Sequence, residues 1–260
     1  MPVVFLGLIP LVNLLNPVVV GLMVLRKGVL EVAIIFAWAI LPIGVWAVVG
    51  DIAPLIMLFA ICGLAWLLRE TESWEFTLLA TIAIGLSVEI YLRFQPAILD
   101  GLFQQLELLL VTNNLQGIQL EDLRESMGSF IGVGYMFLAI VLLILARWMQ
   151  ASLFNPGGFQ KEFHQLRIGQ KSALGLAGFI VLGSYQLLIP QSWVFYLILP
   201  LLFSGIGLVH AVVDNKKLSS LSLIAFYALL IVLPIVLQLI VLLALVDSWY
   251  DFRSRLQQST

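Results

Sequence analysis

From Val3 to Val246 the chain is a succession of apolar runs about as long as a bilayer is thick, and that restricts it to one class of fold. A hydrocarbon core of about 30 Å takes roughly 20 helical residues, and backbone polar groups at that depth must be satisfied inside the protein. Eight candidate runs come near that length, the third of them short: Val3–Leu25, Val29–Val49, Ala53–Leu68, Trp74–Leu92, Met127–Ala146, Ala173–Ile189, Trp193–Val213 and Leu218–Val246. Pro10, Asn13, Asn16 and Pro17 interrupt the first, which is expected to be kinked or partly re-entrant, so the spans number seven or eight. The last is long enough to tilt or to bend at Pro234. Its exit carries Trp249, Tyr250 and Phe252, an aromatic anchor at a membrane interface.

The expected fold is therefore an all-α, polytopic transmembrane helix bundle forming one integral membrane domain over residues 1–260. Its first four spans lie in 3–92, an external amphipathic connection in 93–126, the fifth span in 127–146, a cytoplasmic connection in 147–171 and the last three spans in 173–246. Composition agrees, since 62% of residues are hydrophobic and 11% charged, with mean hydropathy +1.08, against about half and a quarter in soluble domains. With 13 Lys and Arg and a net charge of -2, no basic face for nucleic acid can be assembled. The one cysteine, Cys62, lies in an apolar run and reads as a small buried hydrophobe. The N-terminus lacks a basic leader and reads as a retained first span, although a start placed too far downstream gives the same pattern.

Two connections stand out. After Pro96, apolar residues at Ile98, Leu99, Leu102, Leu106, Leu109 and Leu110 keep helical spacing with Asp100, Gln104, Gln105 and Glu107 between them, the pattern of an interfacial helix. From Arg147 to Lys171 the sequence is the most basic connection in the chain, and Asn155-Pro156-Gly157-Gly158 is a dense turn signal. Phe159, Phe163 and Leu166 then mark a second amphipathic helix. Arg26, Lys27, Arg69, Arg147, Lys161, Arg167, Lys171, Lys216 and Lys217 fall on odd-numbered connections, against Arg93, Arg124, Arg253 and Arg255 on even ones and the tail. The positive-inside rule puts the odd connections in the cytoplasm and both termini outside; only Arg253 and Arg255 resist, and an eighth segment that does not cross would remove that conflict.

Polar groups at membrane depth are costly and mark candidate sites. Asn13 and Asn16 share a face of the first span; Glu89, Tyr91 and Arg93 lie near the outer end of the fourth; Tyr185 and Gln186, with Ser184, lie near the outer end of the sixth. These are the candidate ligand-binding residues, and a local Glu89–Arg93 ion pair and interhelical hydrogen bonds are their plain structural alternatives. Gln238 reads as helix glue. His210 and Asp214, at i and i+4, are too few for a zinc site, so no metal is expected. The glycines at 128, 132 and 134, and the small residues Ala173, Gly175, Ala177 and Gly178, are the spacing that lets membrane helices approach closely. No GxSxG, HExxH or Walker loop occurs, so no catalytic residue and no cofactor is expected.

The LRKG connection, WAILPIGVWAVVGD, RWMQASLFNPGGFQKEFHQLRIG and ALVDSWYDFRSRL together resemble the YybS-like bacterial membrane proteins, a domain of unknown function. The most specific piece is NPGGFxxEFHxLR, from Asn155 to Arg167. That group is in turn similar to the substrate-binding S components of energy-coupling-factor vitamin transporters. The resemblance implies a multi-pass protein of the bacterial inner membrane that holds a small molecule near the outer face and depends on a separate ATPase or coupling module. No binding residue is carried over by it. The alternative is a membrane scaffold or assembly factor that docks another cytoplasmic protein through Asn155, Pro156, Gly157, Gly158, Phe159, Phe163 and Arg167. Both readings have the lipid bilayer as a partner and exclude nucleic acid.

Overall fold

The computed structural model describes residues 2–49, 52–112 and 120–258, with side chains described for 15–44, 47–48, 52–110, 112 and 126–255. Every regular element among them is helical. In chain order they are α1 (Pro2–Lys27), α2 (Val29–Val49), α3 (Ala53–Thr71), α4 (Trp74–Phe94), α5 (Pro96–Thr112), α6 (Leu120–Phe154), α7 (Gly158–Gln165), α8 (Gln170–Ser184), α9 (Val194–Asn215), α10 (Ser220–Val232), α11 (Pro234–Tyr250) and α12 (Phe252–Gln258). A single 3-10 turn, Gln191–Trp193, leads into α9.

Among the described residues four helical stretches are long and apolar enough to cross a membrane: Ala53–Thr71, Trp74–Phe94, Ser126–Phe154 and Gln191–Asn215. The α10–α11 pair makes a fifth if it counts as one span, but its two halves are bent by 113°. Four or five of the expected seven or eight spans are therefore met among the described residues. The side chains of residues 1–14 in the first run, and of 45, 46 and 49 in α2, lie outside the described residues, so α2 is described as an apolar stretch over Val29–Gly44.

The sixth expected run ends early, because α8 stops at Ser184 and residues 185–190 form turns in which Gln186 takes a positive φ of 55°. Fifteen helical residues rise about 22 Å, less than a hydrocarbon core. The fifth run is longer than expected: α6 continues to Phe154, so Arg147 and Gln150 sit on helix rather than in a loop. The eighth breaks at Leu233–Pro234, because proline cannot donate the next helical hydrogen bond and pushes Leu233 to extended φ/ψ.

The chain divides into two compact units, residues 1–69 with 80–146, and 70–79 with 147–260. In the first, Gly28 turns α1 into α2 at φ +88°, and Arg69 Nη1 donates to the Leu25 carbonyl at 3.0 Å. A Cβ on Gly21 would stand 2.8 Å from Ile61 Cγ2, so α1 and α3 pack at the closeness only glycine allows. Phe36 and Phe59 meet edge to face at 5.1 Å. No residue of α5 with a described side chain is buried.

The second unit is built on α9. Gly205 faces α11, where a Cβ would fall 2.5 Å from Ile240 Cγ2 and 2.7 Å from its carbonyl oxygen. Two residues on, a Cβ on Gly207 would fall 2.7 Å from the Phe163 carbonyl. These two glycines seat α11 and the end of α7 against one helix. By contrast a Cβ added to Gly134, Gly175 or Gly178 would meet nothing within 4 Å, so the small-residue runs that open α6 and α8 are not close-packed at those positions.

Candidate functional site

The α6–α8 connection is shaped by its sequence in short steps. Gly157 takes φ +83°, which supplies the turn after Pro156 and lets α7 begin at Gly158. The α7 pattern then puts Phe159 and Phe163 on one side, and they are occupied within the chain. Trp74 meets Phe159 edge to face at 6.4 Å, Phe159 lies 5.7 Å from Phe163, and Phe163 meets His210 edge to face at 5.3 Å. Leu166 and Ile168 are fully buried. On the other side Arg147 Nε donates to Glu162 Oε2 at 2.9 Å and also holds Gln150, tying α7 to α6.

Beneath this connection lies a cluster of charge. Arg253 is 7% exposed and Asp247 fully buried. Arg253 Nε donates to the His164 carbonyl at 2.7 Å, Nη2 to the carbonyls of Leu166 at 2.7 Å and Ser204 at 2.9 Å, and Nη1 to Asp247 Oδ2. Asp247 Oδ1 accepts the Phe252 amide at 2.9 Å. Arg167 lies alongside: its Nη1 reaches Asp251 Oδ2 at 2.8 Å, its Nη2 donates to the Ser248 carbonyl at 2.9 Å, and its Nε is 4.0 Å from Asp247. Two arginines and two aspartates thus neutralise one another, the condition for keeping charge out of water. The tail reaches the cluster because Asp251 adopts a left-handed φ of 46°, which ends α11 and redirects the chain. Burial pulls the Arg253 guanidinium below its ordinary value while the Asp247 carboxylate opposes the shift.

Beside the cluster opens a cavity of roughly 330 Å³ lined by Lys161, His164, Gln165, Asp214, Asn215 and Arg253, with Ala211 at its floor. Gln160 Nε2 donates to Asp214 Oδ1 at 3.3 Å, and His164 Nδ1 is 3.7 Å from Asp214 Oδ2. Burial holds His164 below the usual histidine range, Asp214 works against that and Arg253 adds to it. His210 Nε2 makes a 2.8 Å hydrogen bond with the Tyr227 hydroxyl, so His210 and Asp214 face different partners. No group of three or more His, Cys, Asp or Glu that could hold a metal occurs among the described residues. The cavity thus presents hydrogen-bond donors and acceptors of both charges on its walls.

The residues singled out from sequence fall in several places. The side chain of Asn13 lies outside the described residues, and Asn16 is half-buried on α1. Glu89 is buried and paired with exposed Arg93 at 2.6 Å. The Tyr91 hydroxyl accepts the Ile52 amide at 3.5 Å. Tyr185 is exposed, and Gln186 Nε2 donates to Gln191 Oε1 at 3.2 Å within the α8–α9 turn. Of the connection, Asn155, Pro156 and Gly157 are exposed and Gly158, Phe159 and Phe163 half-buried, while Arg167 belongs to the charge cluster. Asp247, Asp251, Ser204 and Glu162 were not singled out. The signal for them was the conflict of Arg253 and Arg255 with the charge-based topology.

No family model matches the chain, and no curated protein or solved structure matches it either. The comparisons therefore support no family, the YybS-like group and the S components included.

Proposed function

We propose that the chain is a multi-pass protein of the bacterial inner membrane that binds a small polar molecule, as a subunit of a transport system whose ATPase or coupling module is a separate chain. The observation that carries this reading is the cavity beside Arg253. Three elements, α7, α9 and the C-terminal tail, bring Lys161, His164, Asp214 and Arg253 to one partly enclosed space, and buried Arg253, paired with Asp247, holds them in register through the carbonyls of His164 on α7 and Ser204 on α9. Preorganisation of this kind lowers the cost of ordering a site when a ligand arrives. The proposal moves the ligand from the Glu89, Tyr91, Arg93, Tyr185 and Gln186 set, whose members pair locally or face outward.

The test is native mass spectrometry of the tagged protein released from membranes in mild detergent, beside Lys161→Ala and Asp214→Ala. A discrete small-molecule adduct on the parent protein, lost from both variants at unchanged melting temperature, supports the reading. No adduct on the parent, or one that survives in both variants, overturns it.

The scaffold reading draws on a different observation: Leu153, Phe154, Asn155, Pro156 and Gly157 form an exposed corner between α6 and α7. A partner would engage that corner rather than Phe159 and Phe163. Phe154→Ala should then release a co-purifying cytoplasmic protein, and retention of that protein would count against docking there.

A further inference from the structure

The second unit carries its charges at one end. All its lysines and arginines, Arg147, Lys161, Arg167, Lys171, Lys216, Lys217, Arg253 and Arg255, fall on three segments, the stretch from the end of α6 to the start of α8, the α9–α10 connection and the C-terminal tail, and none falls on the α8–α9 connection or on 70–79. Side-chain contacts bring those three segments together. At the end of α9, where the chain leads into α10, Asp214 is bonded to Gln160 and close to His164. At the end of α11, Arg253 is bonded to the carbonyls of His164 and Leu166. The chain entering α10 and the chain leaving α11 therefore both reach α7 or its C-terminal end, and α7 is a helix of 8 residues, about 12 Å long. Asp214, Asn215 and Arg253 even line the same cavity.

A broken span would have to deliver its two ends to opposite faces of a core about 30 Å thick. The α10–α11 pair does the reverse. The 13 residues of α10 rise about 20 Å, too little to cross, and the chain then turns by 113° at Leu233–Pro234. The packing of α9 on α11 fixes how deep that turn lies. Gly205 meets Ile240, and Leu208 and Leu243 line one cavity with the same shift of 35 positions, so α9 and α11 run parallel and Pro234 comes near the level of Leu199, roughly five residues or about 7 Å short of where α9 begins at Val194.

We propose that α10 and α11 form a re-entrant helical hairpin that enters and leaves the membrane on the lysine- and arginine-rich, cytoplasmic face, with its tip inside the hydrocarbon core and the C-terminus cytoplasmic. This places Arg253 and Arg255 where the positive-inside rule wants them. It also places a helix break at depth, where Pro234 has no N–H for the carbonyl four residues before it. The inference rests on the reading that α9 crosses the membrane, and the experiment separates the two.

In a Cys62→Ser background, single cysteines are placed at the exposed positions Gln191, Lys216 and Ser254 and labelled with an impermeant maleimide in intact and in permeabilised bacteria. A C-terminal epitope tag read by antibody in the same cells repeats the third position without a substitution. Gln191→Cys is expected to label in intact cells, and Lys216→Cys, Ser254→Cys and the tag only after permeabilisation. Lys216→Cys and Ser254→Cys on opposite sides would overturn the hairpin. Gln191→Cys and Lys216→Cys on the same side would overturn the crossing of α9, and the hairpin with it.

Discussion

The Arg253 Nη2 group donates to the carbonyl of Leu166, 87 positions earlier in the chain, at 2.7 Å. The same guanidinium satisfies the carbonyls of His164 and Ser204 and the buried carboxylate of Asp247, so one side chain ties the C-terminal end of α7 to the middle of α9 and the last turn of α11. Removing one member of such a pair leaves the other charged and buried, which costs about 3–5 kcal/mol. Asp247→Ala should therefore lower the melting temperature in detergent sharply. The double variant Asp247→Leu with Arg253→Met removes both charges, yet it should remain destabilised, because three carbonyls lose their donor. Recovery of the parent melting temperature in the double variant would show that the carbonyl contacts contribute nothing.

The glycines of α9 provide a second test. Gly205→Ala forces a methyl against Ile240 backbone, and Gly207→Ala forces one against the Phe163 carbonyl. Backbone cannot move aside as a side chain can, so each change should cost about 1–3 kcal/mol. Gly178→Ala meets open space and should be neutral or gain up to about 1 kcal/mol from helix propensity. Thermal unfolding followed by fluorescence-detected gel filtration would rank the three, and equal losses at all of them would refute close packing as the reason for the α9 glycines.

Helix placement was legible wherever apolar length and its punctuation agreed, as in α2, whose observed bounds Val29–Val49 match the apolar run residue for residue. It was less legible where a local signal overrode hydropathy: the turns after Ser184 shorten α8, and Pro234 folds back a run that reads as a single long segment. The continuation of α6 past Ala146 was hidden because Arg147 and Gln150 look like the start of a loop, whereas Glu162 supplies the arginine with a partner 15 residues away. The candidate site was hardest to read. Arg253 finds partners in His164, Leu166 and Ser204, and Asp247 lies near Arg167, and no local spacing rule encodes contacts between positions so far apart. Only the misfit of the C-terminal arginines with the charge pattern pointed there.

The charge state of His164 predicts a pH dependence. Burial sets its folded pKa below the ordinary 6.5, so the unfolded chain binds a proton more readily than the folded one. Its contribution to stability is complete above about 6.5 and is lost as pH falls from there towards the folded value. His164→Gln should flatten part of the fall in melting temperature between pH 7.5 and 5.5 while leaving the upper part of the profile in place. A profile with an undiminished slope in the variant would remove His164 from the account.

Trp74 offers the opposite case, a polar atom whose loss should be harmless. Its ring is 7% exposed and packs edge to face with Phe159, but its buried Nε1 has no hydrogen-bond partner. An orphaned buried donor carries a desolvation cost of about 1–3 kcal/mol, whereas the ring contact with Phe159 favours stability. Trp74→Phe removes the donor and keeps an aromatic ring, so the lost area and the relieved desolvation offset each other and the melting temperature should barely move. Trp74→Ala should cost about 3–5 kcal/mol, the range for deleting a buried aromatic ring. If Trp74→Phe proved as damaging as Trp74→Ala, the indole N–H would have to be donating to a group that stabilises the folded protein, and its position next to α7 would make it part of the site.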